Sequence, residues 1–149
     1  MAGQINWLAV IVATFSAFVI GAAWFGPKTF YPVWMKAQGR KMPTERVEMT
    51  GGETALMFGG TFVSAFIQVT TLAFVLAGVF GTKEEANGAY GAIIGFLLAV
   101  GFTAFGSFSH RMFSHNENKP YKALKVWLIE VSQDVVSLTI AGAILGAWI

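Results

Sequence analysis

The sequence contains no cysteine, and its charged residues are few. Without cysteine there is no disulfide framework, no thiolate metal site and no cysteine nucleophile. Charged residues make up 12% of the 149 positions, whereas a typical soluble domain has roughly 25%. The mean hydropathy of the chain is +0.61. These values exclude an ordinary soluble domain and predict an integral membrane protein of one domain.

Motifs of common enzymes and of nucleic-acid-binding proteins are also missing. The sequence has no phosphate-binding loop, no G-x-S-x-G elbow, no H-E-x-x-H helix and no dinucleotide fingerprint. The net charge of +2 is too small to indicate nucleic acid as a partner. We therefore expect neither an enzyme nor a nucleic-acid-binding protein, and we expect no cofactor.

Long apolar segments account for most of the chain. They predict membrane-spanning helices at about residues 5–25, 55–80, 88–108 and 121–148. Gly26-Pro27 ends the first segment, because proline lacks the N–H that a helix needs. We expect this segment to be retained rather than removed as a signal peptide, since no positive charge precedes it. Spans with short connections predict an all-α, integral membrane antiparallel four-helix bundle.

Positive charges are concentrated in two of the predicted loops. Of the ten Lys and Arg residues, five lie between Pro27 and Thr54 and four between Ser109 and Lys125. One lies between the second and third spans, and neither end of the chain has any. By the positive-inside rule, loops 27–54 and 109–120 are predicted to be cytoplasmic and both termini to lie outside.

The loop after the first span mixes aromatic and basic side chains at its start. Phe30, Tyr31 and Trp34 lie between Lys28 and Lys36, a combination that suits the lipid headgroup layer. This pattern is compatible with an amphipathic arm that binds anionic lipid or partners, but an ordinary juxtamembrane loop is the simpler interpretation. Gly51-Gly52 is predicted to break the chain before the second span.

Two carboxylates lie within the fourth predicted span. Glu130 and Asp134 are about one and two helical turns beyond Trp127. An acid inside a membrane helix costs at least ~2.5 kcal/mol, so such groups normally face protein or trapped water and are candidates for function. Two ionised carboxylates at this spacing repel each other, and one is expected to share a proton with its neighbour.

The carboxylates allow two interpretations. In the first, they bind a proton or a small cation, and an aqueous cleft reaches them from the cytoplasmic side. In the second, Arg111, Lys122 or Lys125 folds back into the membrane and neutralises one acid, so that the group is structural. The sequence leaves both interpretations open.

Polar residues elsewhere complete the candidate site. At the helical period, Gln133 and Ser137 lie on the same face of the fourth span as the two acids. His110 is a candidate proton relay or pH sensor near Glu130. The second span has a polar stripe that is expected to hydrogen-bond to another helix. We call it the polar stripe, and it consists of Thr61, Ser64, Gln68 and Thr71.

The histidines do not predict a metal site. His110 and His115 are five positions apart, so they do not share a helix face. Glu117 is the nearest further ligand, and cysteine partners are absent. We therefore interpret both histidines as ordinary loop residues and predict no bound metal.

Glycine pairs spaced four residues apart occur in two spans. Gly91 and Gly95 form one pair, and Gly142 and Gly146 form the other. Such pairs allow helix backbones to approach closely in a membrane. The second pair lies away from the carboxylate face, where we expect it to pack against another helix or another subunit. We expect a homo-oligomer on this basis.

The beginning of the chain is similar to a known family. The residues that carry the resemblance are Ile5-Asn6-Trp7-Leu8-Ala9-Val10, Gly21, Trp24, Pro27, Phe30, Trp34-Met35 and Gly39. They resemble the domain of unknown function 1761 family of small bacterial membrane proteins with four spans. A looser likeness extends to Asp134 and to residues 141–146, and the family has tyrosine at the position of Phe25. The resemblance implies a bacterial inner-membrane protein with the lipid bilayer as its surroundings, and it implies no activity.

Three functional hypotheses follow. In the leading one, the carboxylates of the fourth span bind or transport a proton, a small cation or a small solute. In the alternative, the chain is a non-catalytic membrane assembly or interaction protein whose acids are structural and whose glycine faces make the contacts. An enzyme that uses His110 with Glu130 is the weakest hypothesis, because nothing resembles a nucleophile or an oxyanion site.

Overall fold

The computed structural model describes residues 5–44, 48–80, 86–114 and 120–148. Within these ranges the chain forms five helices and no strand. The helices are α1 (Trp7–Trp24), α2 (Tyr31–Ala37), α3 (Gly51–Val79), α4 (Gly88–Phe113) and α5 (Pro120–Trp148). Short π-helical segments interrupt α3 at Ala55–Gly59 and α4 at Ala99–Ala104.

All of these helices except α2 are long and apolar enough to cross a membrane. At one end of the bundle, Asn6 Nδ2 donates a hydrogen bond to the carbonyl oxygen of Trp148 at 3.0 Å. At the other end, Trp24 Nε1 donates to the carbonyl oxygen of Ile129 at 3.1 Å, so α1 and α5 are antiparallel. We call the end with Asn6 and Trp148 the terminal end, and the end with Trp24 and Ile129 the basic end. The predicted all-α four-helix bundle is confirmed.

Helix α3 begins earlier than the sequence predicts. Gly51 and Gly52 form its first turn, so the predicted break at this pair is wrong. The Thr50 hydroxyl accepts a hydrogen bond from the Glu53 backbone N–H, and the Glu53 carboxylate accepts one from the Thr50 backbone N–H. This capping box satisfies free N–H groups of the first turn, which offsets the conformational freedom of the glycines.

Helix α4 continues to Phe113, beyond the predicted end near residue 108. His110 and Arg111 therefore lie in its last turn and not in a loop. Basic side chains are favourable at this position, because the carbonyl end of a helix carries partial negative charge. The extension brings the Arg111 side chain within reach of α5.

The buried core is concentrated at the terminal end. Val10 of α1, Leu76 of α3 and Leu145 of α5 are almost wholly inaccessible and belong to one apolar cluster. Small residues allow α1 to approach its neighbours here, since Ala9 and Ala13 are also fully buried. This half of the bundle is closed.

Helices α4 and α5 touch through their glycine pairs. A Cβ atom added to Gly91 would overlap the carbonyl oxygen of Gly142, and one added to Gly95 would overlap that of Leu138. A Cβ atom added to Gly146 would overlap the carbonyl oxygen of Asn87 and lie 3.0 Å from Cα of Gly91. The two glycine pairs therefore pack against each other within one chain. The sequence predicted that Gly142 and Gly146 pack against another helix or another subunit. In the structure they pack against the start of α4 in the same chain.

Toward the basic end, α3 separates from the bundle. Every residue from Gly51 to Thr61 is exposed, and the first buried side chain of α3 is Val69. Helices α4 and α5 remain in contact there, because the buried Trp127 indole donates a hydrogen bond to the carbonyl oxygen of Ala104 at 3.0 Å. The separation of α3 opens a cleft between α1, α3 and α5.

Candidate functional site

The cleft has a volume of about 1380 Å³. Its walls are the basic halves of α1, α3 and α5, and α2 with Arg40, Lys41 and Pro43 lines its basic end. Most of the lining is apolar. The polar groups that reach the cleft from α3 and α5 are Thr61, Ser64, Gln68, Glu130, Gln133, Asp134 and Ser137. The structure thus places the carboxylate face of α5 and most of the polar stripe on one cavity.

Glu130 has a partner for each of its carboxylate oxygens. Nη2 of Arg111 on α4 lies 2.5 Å from Oε2. Nε1 of Trp34 on α2 donates a hydrogen bond to Oε1 at 3.0 Å. The Arg111 and Glu130 side chains are only 27% and 24% exposed, so water screens this ion pair weakly. Glu130 therefore joins α2 and α4 to α5 through charge-assisted hydrogen bonds.

Asp134 has a different environment from Glu130. It is half-buried, lines the cleft and makes no hydrogen bond or ion pair with any residue that the structure describes. At the helical rise, it lies about 21 Å from the start of α5 at Pro120, close to the middle of the helix. Lys122 and Lys125 are exposed on the first turns of α5, and they do not pair with it. Asp134 is a carboxylate at mid-helix depth that faces open space.

The polar side chains around the acids bond mainly within their own helices. Gln133 Nε2 donates to Ser137 Oγ at 2.8 Å, and Gln68 Nε2 donates to Ser64 Oγ at 3.3 Å. Against α1, Gln133 fits beside Gly21, where an added Cβ would lie 3.5 Å from its Nε2.

The polar stripe does not make the predicted hydrogen bonds to another helix. The Thr61 and Thr71 hydroxyls donate to carbonyl oxygens one turn earlier in α3, those of Met57 and Ile67. The reason is geometric, because a threonine hydroxyl in a helix can reach the carbonyl four residues back and needs no partner across the cleft.

The structure does not bring His110 to this site. His110 is exposed on the last turn of α4 and does not line the cleft. His115 and Glu117 lie outside the described residues. In the described part of the chain, no group of three His, Asp or Glu side chains is arranged to hold a metal ion.

Two tryptophans that were not among the predicted site residues contribute to the site. Trp34 donates to Glu130, and its ring meets Phe25 edge-on with centroids 5.4 Å apart. Trp24 stacks on Phe30 at 4.6 Å and donates to α5. Met35 in α2 is buried, so the start of this loop is a short helix that packs on the bundle and forms part of the cleft wall. The feature of the sequence that could have indicated this role is the high density of aromatic residues after the first span.

Four apolar helices, three of which form a cleft with polar groups, define a small multi-pass membrane protein. Over residues 8–146 the chain matches the family described as "Protein of unknown function (DUF1761)", and it belongs to that family. The resemblance seen in the sequence is therefore confirmed. No curated protein and no solved structure matches the chain.

Proposed function

We propose that this chain is a bacterial inner-membrane protein that binds a proton or a small cation at Asp134 while it moves a small solute across the membrane. One observation carries the proposal. Glu130 and Asp134 share a face of α5, yet Glu130 has Arg111 and Trp34 as partners, whereas Asp134 has none among the described residues.

A carboxylate within a membrane requires compensation for its charge. The cost of an uncompensated ionised group in an apolar medium is large, so such groups are paired, bound to a cation or protonated. Glu130 obtains its compensation from the chain itself. Asp134 obtains none from the residues that the structure describes, and we infer that a bound proton or cation supplies it.

The distribution of basic residues gives the direction of access. By the positive-inside rule, the basic end faces the cytoplasm and both termini lie outside. Arg40 and Lys41 line the same end of the cleft. In this orientation the ligand reaches Asp134 from the cytoplasmic side.

The alternative of a structural assembly protein has less support. It assigned the contacts between subunits to the glycine faces, but Gly91 and Gly142 already pack against each other within one chain. A homo-oligomer would form through other surfaces, such as the exposed apolar face of α4 with Ile93, Phe96 and Leu97.

Reconstitution into liposomes tests the proposal. Proton flux into vesicles that contain a pH-sensitive dye is compared for the wild type, Asp134→Asn and Glu130→Gln, with sodium and potassium gradients measured in parallel. We expect flux in the wild type and none in Asp134→Asn. Glu130→Gln is the control, because it removes a charge from the same helix face, and we expect its flux to be measurable.

Circular dichroism and gel filtration establish that each variant is folded before its flux is measured. A folded wild type that moves neither protons nor alkali cations contradicts the proposal. Equal flux in the wild type and Asp134→Asn contradicts it as well.

A further inference from the structure

The shape and lining of the cleft indicate which ligand it fits. We propose that it binds an amphipathic organic cation, whose charged group lies at Asp134 and whose apolar body lies against the walls of α1 and α3. This inference rests on the proposed function and specifies the solute that the protein binds.

The size of the cleft exceeds what a bare ion needs. Its volume of about 1380 Å³ is larger than the roughly 300–1,000 Å³ typical of pockets that enclose drug-sized ligands. A desolvated metal ion requires several oxygen ligands held close together. The described residues offer no cluster of three acidic or histidine side chains for that purpose. The cavity therefore suits an organic molecule better than an inorganic cation.

The apolar lining suits a hydrophobic body. Side chains from three helices form it: Phe18, Phe25, Leu56, Met57, Phe58 and Leu138. Leu56, Met57 and Phe58 are 77%, 55% and 54% exposed. They occupy the part of α3 that diverges from the bundle, which includes the π-helical segment. A ligand with apolar groups would cover these surfaces and make van der Waals contacts with them, as the lining of a mostly apolar pocket does.

The charges along the cleft determine the sign of the ligand. Arg40 and Lys41 lie at its basic end, and the unpaired Asp134 lies deeper, near the middle of α5. An anionic amphiphile would place its charge at the basic end and its hydrocarbon against Asp134, which is unfavourable for a carboxylate. An organic cation gives Asp134 the positive charge that it lacks. The neighbouring Trp34 and Tyr31 rings line the same cavity and also favour a cation.

Tetraphenylphosphonium provides a direct probe, because it carries one positive charge inside an apolar shell. Equilibrium binding of the radiolabelled ion to the purified full chain in detergent is measured for the wild type, Asp134→Asn and Asp134→Glu. We expect Asp134→Asn to weaken binding on the order of thirtyfold, the effect of removing one partner of a desolvated charge pair. Asp134→Glu keeps the charge and should retain most of the affinity.

Tetraphenylborate serves as the matched control, since it has the same shape and the opposite charge. Weak or no binding of this anion by the wild type supports the proposal. Equal binding of tetraphenylphosphonium by the wild type and folded Asp134→Asn overturns it. Tetraphenylborate binding that is lost in the double variant Arg40→Gln/Lys41→Gln overturns it in favour of an anionic amphiphile.

The liposome experiment separates this inference from the proposed function. If proton flux depends on Asp134 but the wild type does not bind tetraphenylphosphonium, the organic cation is wrong and the proposed function stands. If neither flux nor binding depends on Asp134, both are wrong.

Discussion

The terminal and basic halves of the bundle use different residues for different purposes. In the terminal half, glycine and alanine bring helices into backbone contact, and Val10, Leu76 and Leu145 are almost fully buried. In the basic half, α3 is exposed from Gly51 to Thr61, and the cleft separates it from α5. Helices α3 and α5 thus share one buried cluster at the terminal end and are separated at the basic end.

This difference separates the part of the bundle that stabilises the fold from the part that holds the proposed binding site. Within a membrane, close packing replaces the hydrophobic effect as the main force between helices, so the closed half stabilises the fold. The open half keeps polar groups and unfilled space, which contribute little to stability. Glu130 belongs to both parts: it lines the cleft, and its side chain also joins α2 and α4 to α5.

The largest expected effect is in the closed half. Gly91→Ala places a methyl group on the carbonyl oxygen of Gly142, so α4 and α5 must separate. We expect a loss of about 3 kcal/mol in the free energy of unfolding, at the upper end of typical overpacking. Unfolding by sodium dodecyl sulfate in mixed micelles, followed by circular dichroism, measures it.

Gly78→Ala is the matched control for this variant. It lies in the same half on α3, and an added Cβ there would have nothing within 4 Å. We expect its stability to stay within about 0.5 kcal/mol of the wild type, as for other surface substitutions. Equal destabilisation by both alanines would show that the glycine contact does not close this half.

The next largest effect on the free energy of unfolding is expected at Glu130. Glu130→Gln leaves the Arg111 guanidinium without its counter-charge in a half-buried position. We expect a loss of about 2 to 3 kcal/mol, the range for hydrogen bonds to charged groups. The double variant Arg111→Gln/Glu130→Gln should recover part of it, because no unpaired charge remains. Strictly additive losses in this double-mutant cycle would contradict the ion pair.

A smaller effect is expected where α2 is attached. Trp34→Phe keeps a ring beside Phe25 but removes the indole N–H that donates to Glu130. We expect a loss of about 1.5 kcal/mol, together with faster tryptic cleavage after Arg40 and Lys41. Tyr31→Phe, on the same helix, removes a hydroxyl that has no hydrogen-bond partner among the described residues and should change neither value. Unchanged cleavage in Trp34→Phe would mean that other contacts hold α2.

The smallest effect on stability is expected at Asp134. Asp134→Asn removes a charge that no described residue compensates, so the free energy of unfolding should stay within about 1 kcal/mol of the wild type or rise. In the wild type we expect dicyclohexylcarbodiimide, an apolar reagent for protonated carboxyls, to modify Asp134 and not Glu130, as read by mass spectrometry. If Asp134→Asn lowers the free energy of unfolding as much as Glu130→Gln does, Asp134 is a structural residue and the distinction between the two halves is wrong.

Much of the architecture could be predicted from the sequence. Hydropathy predicted the four spans, because an apolar segment of sufficient length can satisfy its backbone hydrogen bonds in lipid only by forming a helix. Proline after Gly26 ended α1, and the spacing of Gly91 with Gly95 indicated close helix contact. The start of α3 was less predictable, because its capping box outweighed the breaking tendency of glycine. The end of α4 was less predictable, because the basic side chains in its last turn interact favourably with the helix dipole.

Helical periodicity is enough to place two acids on one face of the last span, since Glu130 and Asp134 are one helical turn apart. Which of the two acids is paired depends on how the helices pack. The partners of Glu130 are 19 and 96 positions away, at Arg111 and Trp34. Periodicity along one helix carries no information about such partners, because the crossing of helices and the fold-back of α2 bring them together. The tertiary structure likewise decided that the glycine pairs meet each other and that the cleft opens beside Asp134.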